Sequence, residues 1–168
     1  MIKSEVHPEH WSNGPRLGAC GVVRAEDRIL LLSYEKDGEI MYLYPGGGHE
    51  PGETLIETEE REVYGETGIS AGAGRVVALH EIQPSKGFEY PGDIRSIYIS
   101  DAHRVAVYFE FIVDAGTKPN LDVELDRLHT GFIWATLEEL DQLLVIPDIS
   151  SPLRDSLGQS GNLLRSDT

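Results

Sequence analysis

The order of hydrophobic and polar positions predicts a domain rich in short strands. Leu17 to Glu35 holds two apolar runs, and the break at Ala25–Asp27 predicts a turn that joins them. Four further apolar runs predict strands: IMYLYP, which Pro45 ends, GRVVALHEIQ, HRVAVYFEFIVDA and GFIWAT.

Two capping motifs predict where helices begin. Thr54 and Glu57 form a capping box, in which a hydroxyl and a carboxylate bind free backbone N–H groups, and Gly68 is placed to end that helix. Thr136 and Glu139 predict a second helix, LEELDQLLV. Read as a longer helix, TLEELDQLLVIPDISSPLRDSL carries acids and apolar residues, and an alternative role for it is to bind a protein partner.

The long connection Pro84–Ala102 separates two of the predicted strands without a regular hydrophobic period. Connections of this length are usually functional or disordered. Lys86, Tyr90 and Arg95 lie in it and are candidate substrate-binding residues in an otherwise acidic chain. The alternative is a surface flap with chance aromatics.

Length and composition fit one soluble domain. The chain has 168 residues, of which 40% are hydrophobic, and we expect an N-terminal segment 1–16, a domain over 17–157 and a flexible tail 158–168. The single cysteine, Cys20, cannot form an internal disulfide and is expected to be a core thiol. The N-terminal sequence has no apolar run typical of a signal peptide, so we expect a cytoplasmic protein.

The net charge of −15 argues against nucleic acid or an anionic membrane as the main partner, because both would be repelled. It allows a small phosphate-containing substrate if a metal ion supplies positive charge.

Three glutamates share one stripe of the first predicted helix. At about 100° per residue, Glu62 and Glu66 lie within roughly 60° and 20° of Glu59. Like charges this close repel, so the stripe favours a bound cation. The alternative is a solvated acidic face with Arg61 as a partner.

Three glycines, Gly46–Gly48, precede this helix and predict a loop whose backbone can approach a ligand closely. Carboxylates combined with a backbone carbonyl suit Mg²⁺ or Mn²⁺. No Gly-Lys-Ser/Thr follows the glycines, so this is not a P-loop.

The stretch from Gly47 to Ile69 resembles the signature of the Nudix hydrolases. All but one of the fixed positions of that signature are matched, here by Gly47, Glu53, Arg61, Glu62, Val63, Glu66, Gly68 and Ile69. One position departs: Gly65 stands where the first glutamate of a Glu-Glu pair belongs.

The resemblance implies an α/β fold, an α/β/α sandwich around a mixed β-sheet, and metal-dependent hydrolysis of a nucleoside diphosphate linked to another group. It implies that Glu62, Glu66 and the carbonyl of Gly46 bind Mg²⁺ or Mn²⁺, and that Glu53 pairs with Arg61 to hold the site in place. Many relatives form homodimers, so a homodimer is expected. Pro84, 15 residues past the signature, resembles a marker of members that hydrolyse ADP-ribose, which favours ADP-ribose or another NDP-sugar over a nucleoside triphosphate.

The departure at Gly65 leaves three hypotheses. Glu59 serves as a substitute metal ligand, or a carboxylate outside the signature does (Glu110 or Glu124), or the chain is a binding module without turnover. For the general base, Glu62 is one candidate and the loop acids Glu89 and Asp93 are others.

The remaining histidines and tryptophans give weaker signals. His49 is a candidate phosphate contact or a solvent-facing turn residue, whereas His80 and His103 are expected to be structural. Trp11 and Trp134 are expected in the core or at an interface.

Overall fold

The computed structural model describes residues 14–36, 38–83, 103–123 and 129–157. In these ranges it contains seven strands, two α-helices and one short 3₁₀ helix. Their bounds are β1 Arg16–Ala25, β2 Arg28–Lys36, β3 Glu39–Leu43, β4 Gly46–Gly48, α1 Leu55–Thr67, β5 Val76–Ile82, β6 Arg104–Ile112, β7 Gly131–Thr136, the 3₁₀ helix Glu139–Gln142 and α2 Ser150–Leu157.

The strands form one mixed sheet in the order β3-β2-β1-β6-β5, with β4 paired to β1 and β7 paired to β2. The pairing of β1 with β6 is parallel, and all the other strand pairs are antiparallel. The predicted mixed sheet is therefore confirmed.

Side chains alternate between the two faces of each strand, and each face has its own core. Val22 and Tyr108 belong to the core on one face, while Val23 and Phe109 belong to the core on the other. Helix α2 contributes Leu153 to the first core, and α1 contributes Val63 to the second. The arrangement is the predicted α/β/α sandwich.

Helix α1 begins and ends where its capping residues predict. Thr54 is the N-cap, its hydroxyl accepts from the Glu57 N–H (3.2 Å), and the Glu57 carboxylate accepts from the Thr54 N–H (2.7 Å). Gly68 ends the helix in the left-handed conformation, φ 67°, which glycine adopts without a steric cost. Both predicted ends are confirmed.

The glycines Gly46–Gly48 do not form the predicted loop. They form the short strand β4, in which Gly46, Gly47 and Gly48 pair with Cys20, Ala19 and Gly18. The prediction considered only local conformational freedom, whereas pairing with β1 depends on contacts distant in sequence.

The second predicted helix is also wrong in extent. The capping bonds between Thr136 and Glu139 are present, but the helix stops after four residues. The chain then becomes extended, because Tyr42 on β3 exchanges backbone hydrogen bonds with Leu144 and Ile146. A single partner-binding helix over this stretch is excluded, and most of its large apolar residues lie in the core: Leu140, Val145, Ile146, Ile149 and Leu153.

Several sequence-based candidates lie outside the described residues. They are Trp11, Lys86, Glu89, Tyr90, Asp93, Arg95 and Glu124. Among the helices described, none has both the length and the apolar character needed to span a membrane.

Candidate functional site

The acidic stripe on α1 faces the sheet. Glu59 is fully buried, and Glu62 and Glu66 are each only 5% exposed. The solvated acidic face is therefore wrong. Glu57, by contrast, is exposed in the capping box, and Glu60 accepts from the Ala73 N–H (2.9 Å).

Glu59 is the unusual member of the stripe. Within the described part of the chain, neither of its carboxylate oxygens has a hydrogen-bond partner. Burial raises its pKa well above the ordinary value, and the neighbouring charges of Glu62 and Glu66 raise it further. A buried, unpaired carboxylate costs free energy, so its retention needs a cause outside the packing of the chain.

Glu59 fits because β1 carries a glycine beneath it. A Cβ on Gly21 would lie 2.5 Å from Oε1 of Glu59 and 2.6 Å from a methyl of Val63. Sequence reasoning did not single out Gly21, although a glycine between the apolar residues of a strand often marks a close approach.

Arg61 organises the carboxylates at the edge of the stripe. It donates from Nε and Nη2 to the two oxygens of Glu53 (2.6 and 2.9 Å) and from Nη1 to Glu62. Its Nη2 also donates to the Gly48 carbonyl (3.2 Å), which ties the helix to β4. The predicted Glu53–Arg61 pair is confirmed, and it lowers the pKa of Glu53 to about 2.

Strand β4 lies directly against two members of the stripe. A Cβ on Gly47 would be 2.4 Å from the Glu62 carboxylate, so only glycine allows this approach. The Gly46 N–H donates to Oε2 of Glu66 (2.8 Å). The structure thus brings Gly46, Glu59, Glu62 and Glu66 to one place between α1 and β1.

These groups offer only hard oxygen donors, which is the chemistry that Mg²⁺ and Mn²⁺ prefer. As they stand, no three His, Cys, Asp or Glu side chains in the described ranges are grouped so that they could hold a metal ion. Arg61 donates to Glu62 and the Gly46 N–H donates to Glu66 in this structure. The unbonded oxygens of Glu59 are the feature that fits a divalent cation.

Cys20 lies close to this site, on the opposite side of β4. A Cβ on Gly46 would be 2.8 Å from its Sγ. Burial, followed by the charge of Glu59, raises its pKa well above the ordinary value, so the group is a thiol rather than a nucleophilic thiolate. The predicted core thiol is confirmed, since Cys20 packs against the core that contains Tyr108.

Glu110 is not available as a substitute ligand. It is buried on β6, where Arg24 donates to Oε1 from Nε and Nη2 (3.0 and 2.8 Å) and Arg75 donates to Oε2 (3.2 Å). Two arginines neutralise this carboxylate, and Arg75 also donates to the Ser156 carbonyl at the end of α2 (2.6 Å). Glu110 is therefore part of a structural network.

The other single residues are placed as follows. His49 is half-buried and donates from Nε2 to the Glu53 carbonyl (2.7 Å), and its contact with a phosphate stays a prediction. His80 is half-buried on β5, His103 pairs with Glu81 (2.7 Å), and Trp134 packs against the core beneath α1. The contacts of His103 and Trp134 agree with the expected structural roles, and the structural role of His80 stays a prediction.

Comparisons with known proteins identify the family and the fold. The family model for the NUDIX domain matches residues 14–155. The phosphatase NudJ of Escherichia coli (strain K12) is 36% identical over 73 residues, which are 43% of this chain and 48% of NudJ. The match thus spans about half the length of this curated relative.

Two solved structures show the same fold at low sequence identity. A NUDIX hydrolase from Nitrosomonas europaea superposes with a TM-score of 0.67 and 20% identity, covering 92% of this chain and 98% of that one. A C. elegans Ap4A hydrolase superposes with a TM-score of 0.61 and 18% identity, covering 85% and 96%. Since the family model spans most of the sequence, the chain belongs to the NUDIX domain family.

Proposed function

We propose that the chain hydrolyses a phosphoric anhydride bond in a nucleoside diphosphate linked to another group, with the help of Mg²⁺ or Mn²⁺. The observation that carries this proposal is the fully buried Glu59, whose two oxygens have no hydrogen-bond partner in the described part of the chain. A divalent cation at this place would offset the charge of Glu59 and of its neighbours Glu62 and Glu66.

The residues that would hold the metal are Glu59, Glu62, Glu66 and the carbonyl of Gly46. When bound, the metal would neutralise the diphosphate and act as a Lewis acid on it. Glu59 takes the place of the carboxylate that Gly65 lacks, since Gly65 is buried on the same helix and offers no side chain.

The protein's own part is to hold these oxygens in position. Arg61 fixes Glu62 and joins the helix to Glu53 and to β4. The Gly46 N–H fixes Glu66. Charge-assisted hydrogen bonds of this kind are short and directional, so the carboxylates are oriented before a substrate arrives.

For the substrate, we favour ADP-ribose or another NDP-sugar over a nucleoside triphosphate. The support is the proline at position 84 and the basic and aromatic residues Lys86, Tyr90 and Arg95, which are candidates to bind the phosphates and the base. The relatives differ in the substrates that their names give, so they do not select among these. Glu62 and the loop acids Glu89 and Asp93 stay candidates for the general base.

An assay of nucleoside monophosphate formation from a panel of ADP-ribose, other NDP-sugars and nucleoside triphosphates, with Mg²⁺ or Mn²⁺, tests the proposal. We expect Glu62→Gln to lower kcat/KM on the order of 100-fold or more, since the loss of a group around a metal typically has at least this effect. Glu57→Gln is the matched control: it makes the same change on the exposed face of α1 and leaves the capping box possible.

A second candidate is a binding module without turnover, which the missing carboxylate at Gly65 favours. Saturable binding of a nucleotide by the wild-type chain, with no product from any substrate and either metal, would select this candidate.

The cytoplasmic location and the homodimer stay predictions. Cell fractionation tests the location, and sedimentation velocity of the full chain measures the oligomeric state directly.

A further inference from the structure

Arg16 lies at the start of β1 on the face of the sheet opposite to α1. Side chains alternate along a strand, so Arg16 shares its face with Gly18, Cys20 and Val22, and Val22 lies in the core that α2 covers. Strand β4 pairs with this part of β1, and a Cβ on Gly48 would be 2.9 Å from Nη2 of Arg16.

Gly48 is thus flanked by two guanidinium groups. On one side Arg61 donates to its carbonyl (3.2 Å), and on the other side Arg16 lies over its Cα. Within β4, Gly47 lies against the Glu62 carboxylate and the next residue, Gly48, lies against Arg16. A ligand that extends from the carboxylate site across β4 would meet Arg16 next.

The two arginines differ in their partners. Arg61 binds Glu53 and Glu62, whereas Arg16 makes no side-chain hydrogen bond or ion pair within the described ranges. The neighbour of Arg16 on β6 is Arg104, its register partner, which points to the same face. In a chain with a net charge of −15, a partly buried arginine without a carboxylate partner in the described ranges calls for an anion from outside the chain.

We propose that Arg16 binds a phosphate group of the substrate, at the place where the substrate extends across β4. The inference rests on the proposed function, and it adds a specificity-determining residue that the sequence signature does not contain. The guanidinium is suited to this role because its planar fork matches two phosphate oxygens at once. Arg16 thereby selects substrates with a diphosphate over those with a single phosphate.

The test compares the full-length wild-type chain with Arg16→Ala, Arg16→Lys and the control Arg28→Ala. Arg28 is an exposed arginine at the start of β2, in a long ion pair with Glu139 (3.4 Å), so its removal makes the same change in net charge away from β4. Calorimetry measures the binding of ADP in the presence of Mg²⁺, and a separate titration measures the binding of Mn²⁺ alone.

We expect Arg16→Ala to weaken ADP binding about 10-fold or more, as the loss of a charge-assisted hydrogen bond predicts. Arg16→Lys should lie between Arg16→Ala and the wild type, because it keeps the charge and loses the fork. Arg28→Ala should stay within about twofold of the wild type, and Mn²⁺ should bind all four chains equally. With ADP-ribose as substrate, the effect of Arg16→Ala should appear in KM and not in kcat.

Two results would overturn the inference separately from the proposed function. If Mn²⁺ binds and Arg16→Ala binds ADP like the wild type, or if Arg28→Ala weakens ADP binding equally, Arg16 has no specific role. If the wild-type chain binds neither Mn²⁺ nor ADP, the proposed function itself fails, and this inference fails with it. Urea denaturation of Arg16→Ala verifies that the chain is folded in each case.

Discussion

Two buried glutamates, Glu110 and Glu59, lie on opposite faces of the sheet and differ in their hydrogen-bond partners. Glu110 on β6 is 6% exposed and accepts three hydrogen bonds from Arg24 and Arg75. Glu59 on α1 is fully buried, and within the described residues its oxygens accept none. Both residues are equally acidic by type, so the difference lies in what the chain places around them.

A structural carboxylate differs from a candidate ligand in the partners that the fold provides. The partners of Glu110 connect β1, the start of β5 and the end of α2, so its charge is used to hold elements together. The charge of Glu59 holds nothing described in the chain, and its neighbours Glu62 and Glu66 only add to the repulsion. A buried carboxylate that the fold leaves uncompensated marks a place for a cation from solution.

The largest effect on stability is expected at the compensated glutamate. Glu110→Gln removes the charge between two arginines and should lower the free energy of unfolding by about 3 kcal/mol, since breaking a buried ion pair leaves uncompensated charge. Urea denaturation at neutral pH measures this loss.

The same variant should keep the metal response. The increase in stability produced by Mn²⁺ should be equal in Glu110→Gln and the wild type. Glu110 and its two arginines lie on one face of the sheet, and the carboxylates of α1 lie on the other. A loss of that increase in Glu110→Gln would show that the two carboxylates are coupled, and the distinction between them would fail.

At the uncompensated glutamate we expect a smaller effect of the opposite sign. The pKa of Glu59 is raised in the folded state, so the ionisation of Glu59 opposes folding: its contribution is favourable at low pH and is lost as the pH rises above about 4.5, the ordinary value. Glu59→Gln does not ionise. Without metal at pH 8, it should therefore be more stable than the wild type by about 1 kcal/mol or more.

Adding Mn²⁺ should reverse this order of stability, because only the wild type has the Glu59 carboxylate to bind the metal. Thermal or urea unfolding with and without Mn²⁺, at pH 5 and pH 8, measures both effects. A Glu59→Gln chain that is less stable than the wild type at every pH without metal would mean that Glu59 has a structural role like that of Glu110.

The features that could be predicted from the sequence are those that depend on residues close to one another in the chain. The ends of α1 were predicted correctly because Thr54, Glu57 and Gly68 act within a few residues of the helix ends. The clustering of Glu59, Glu62 and Glu66 was predicted correctly because it depends only on the helical period.

What could not be predicted depends on contacts distant in sequence. The direction of the acidic stripe is set by Gly21 on β1, which leaves room for Glu59. The glycines of β4 became a strand because β1 pairs with them, and the second helix stopped early because β3 pairs with the chain that follows. The sequence pattern did not show that Glu110 is paired, since its two arginines come from positions 86 and 35 residues away.

The smallest effect concerns Glu53, which pairs with Arg61, the arginine that donates to Glu62. Arg61 and Thr58 bind its carboxylate and lower its pKa from 4.5 to about 2. A lowered pKa means that the contribution of Glu53 to stability is present above pH 4.5 and is lost as the pH falls towards 2. Glu53→Gln should therefore make the decrease in unfolding free energy between pH 5 and pH 2.5 less steep, as measured by urea denaturation across that range. Asp27→Asn, at an exposed carboxylate in the β1–β2 turn, is the control for the loss of one acid. If the slope of Glu53→Gln equals that of the wild type, the ion pair with Arg61 contributes no net stability, and the role of Glu53 is then limited to orienting Arg61 towards Glu62.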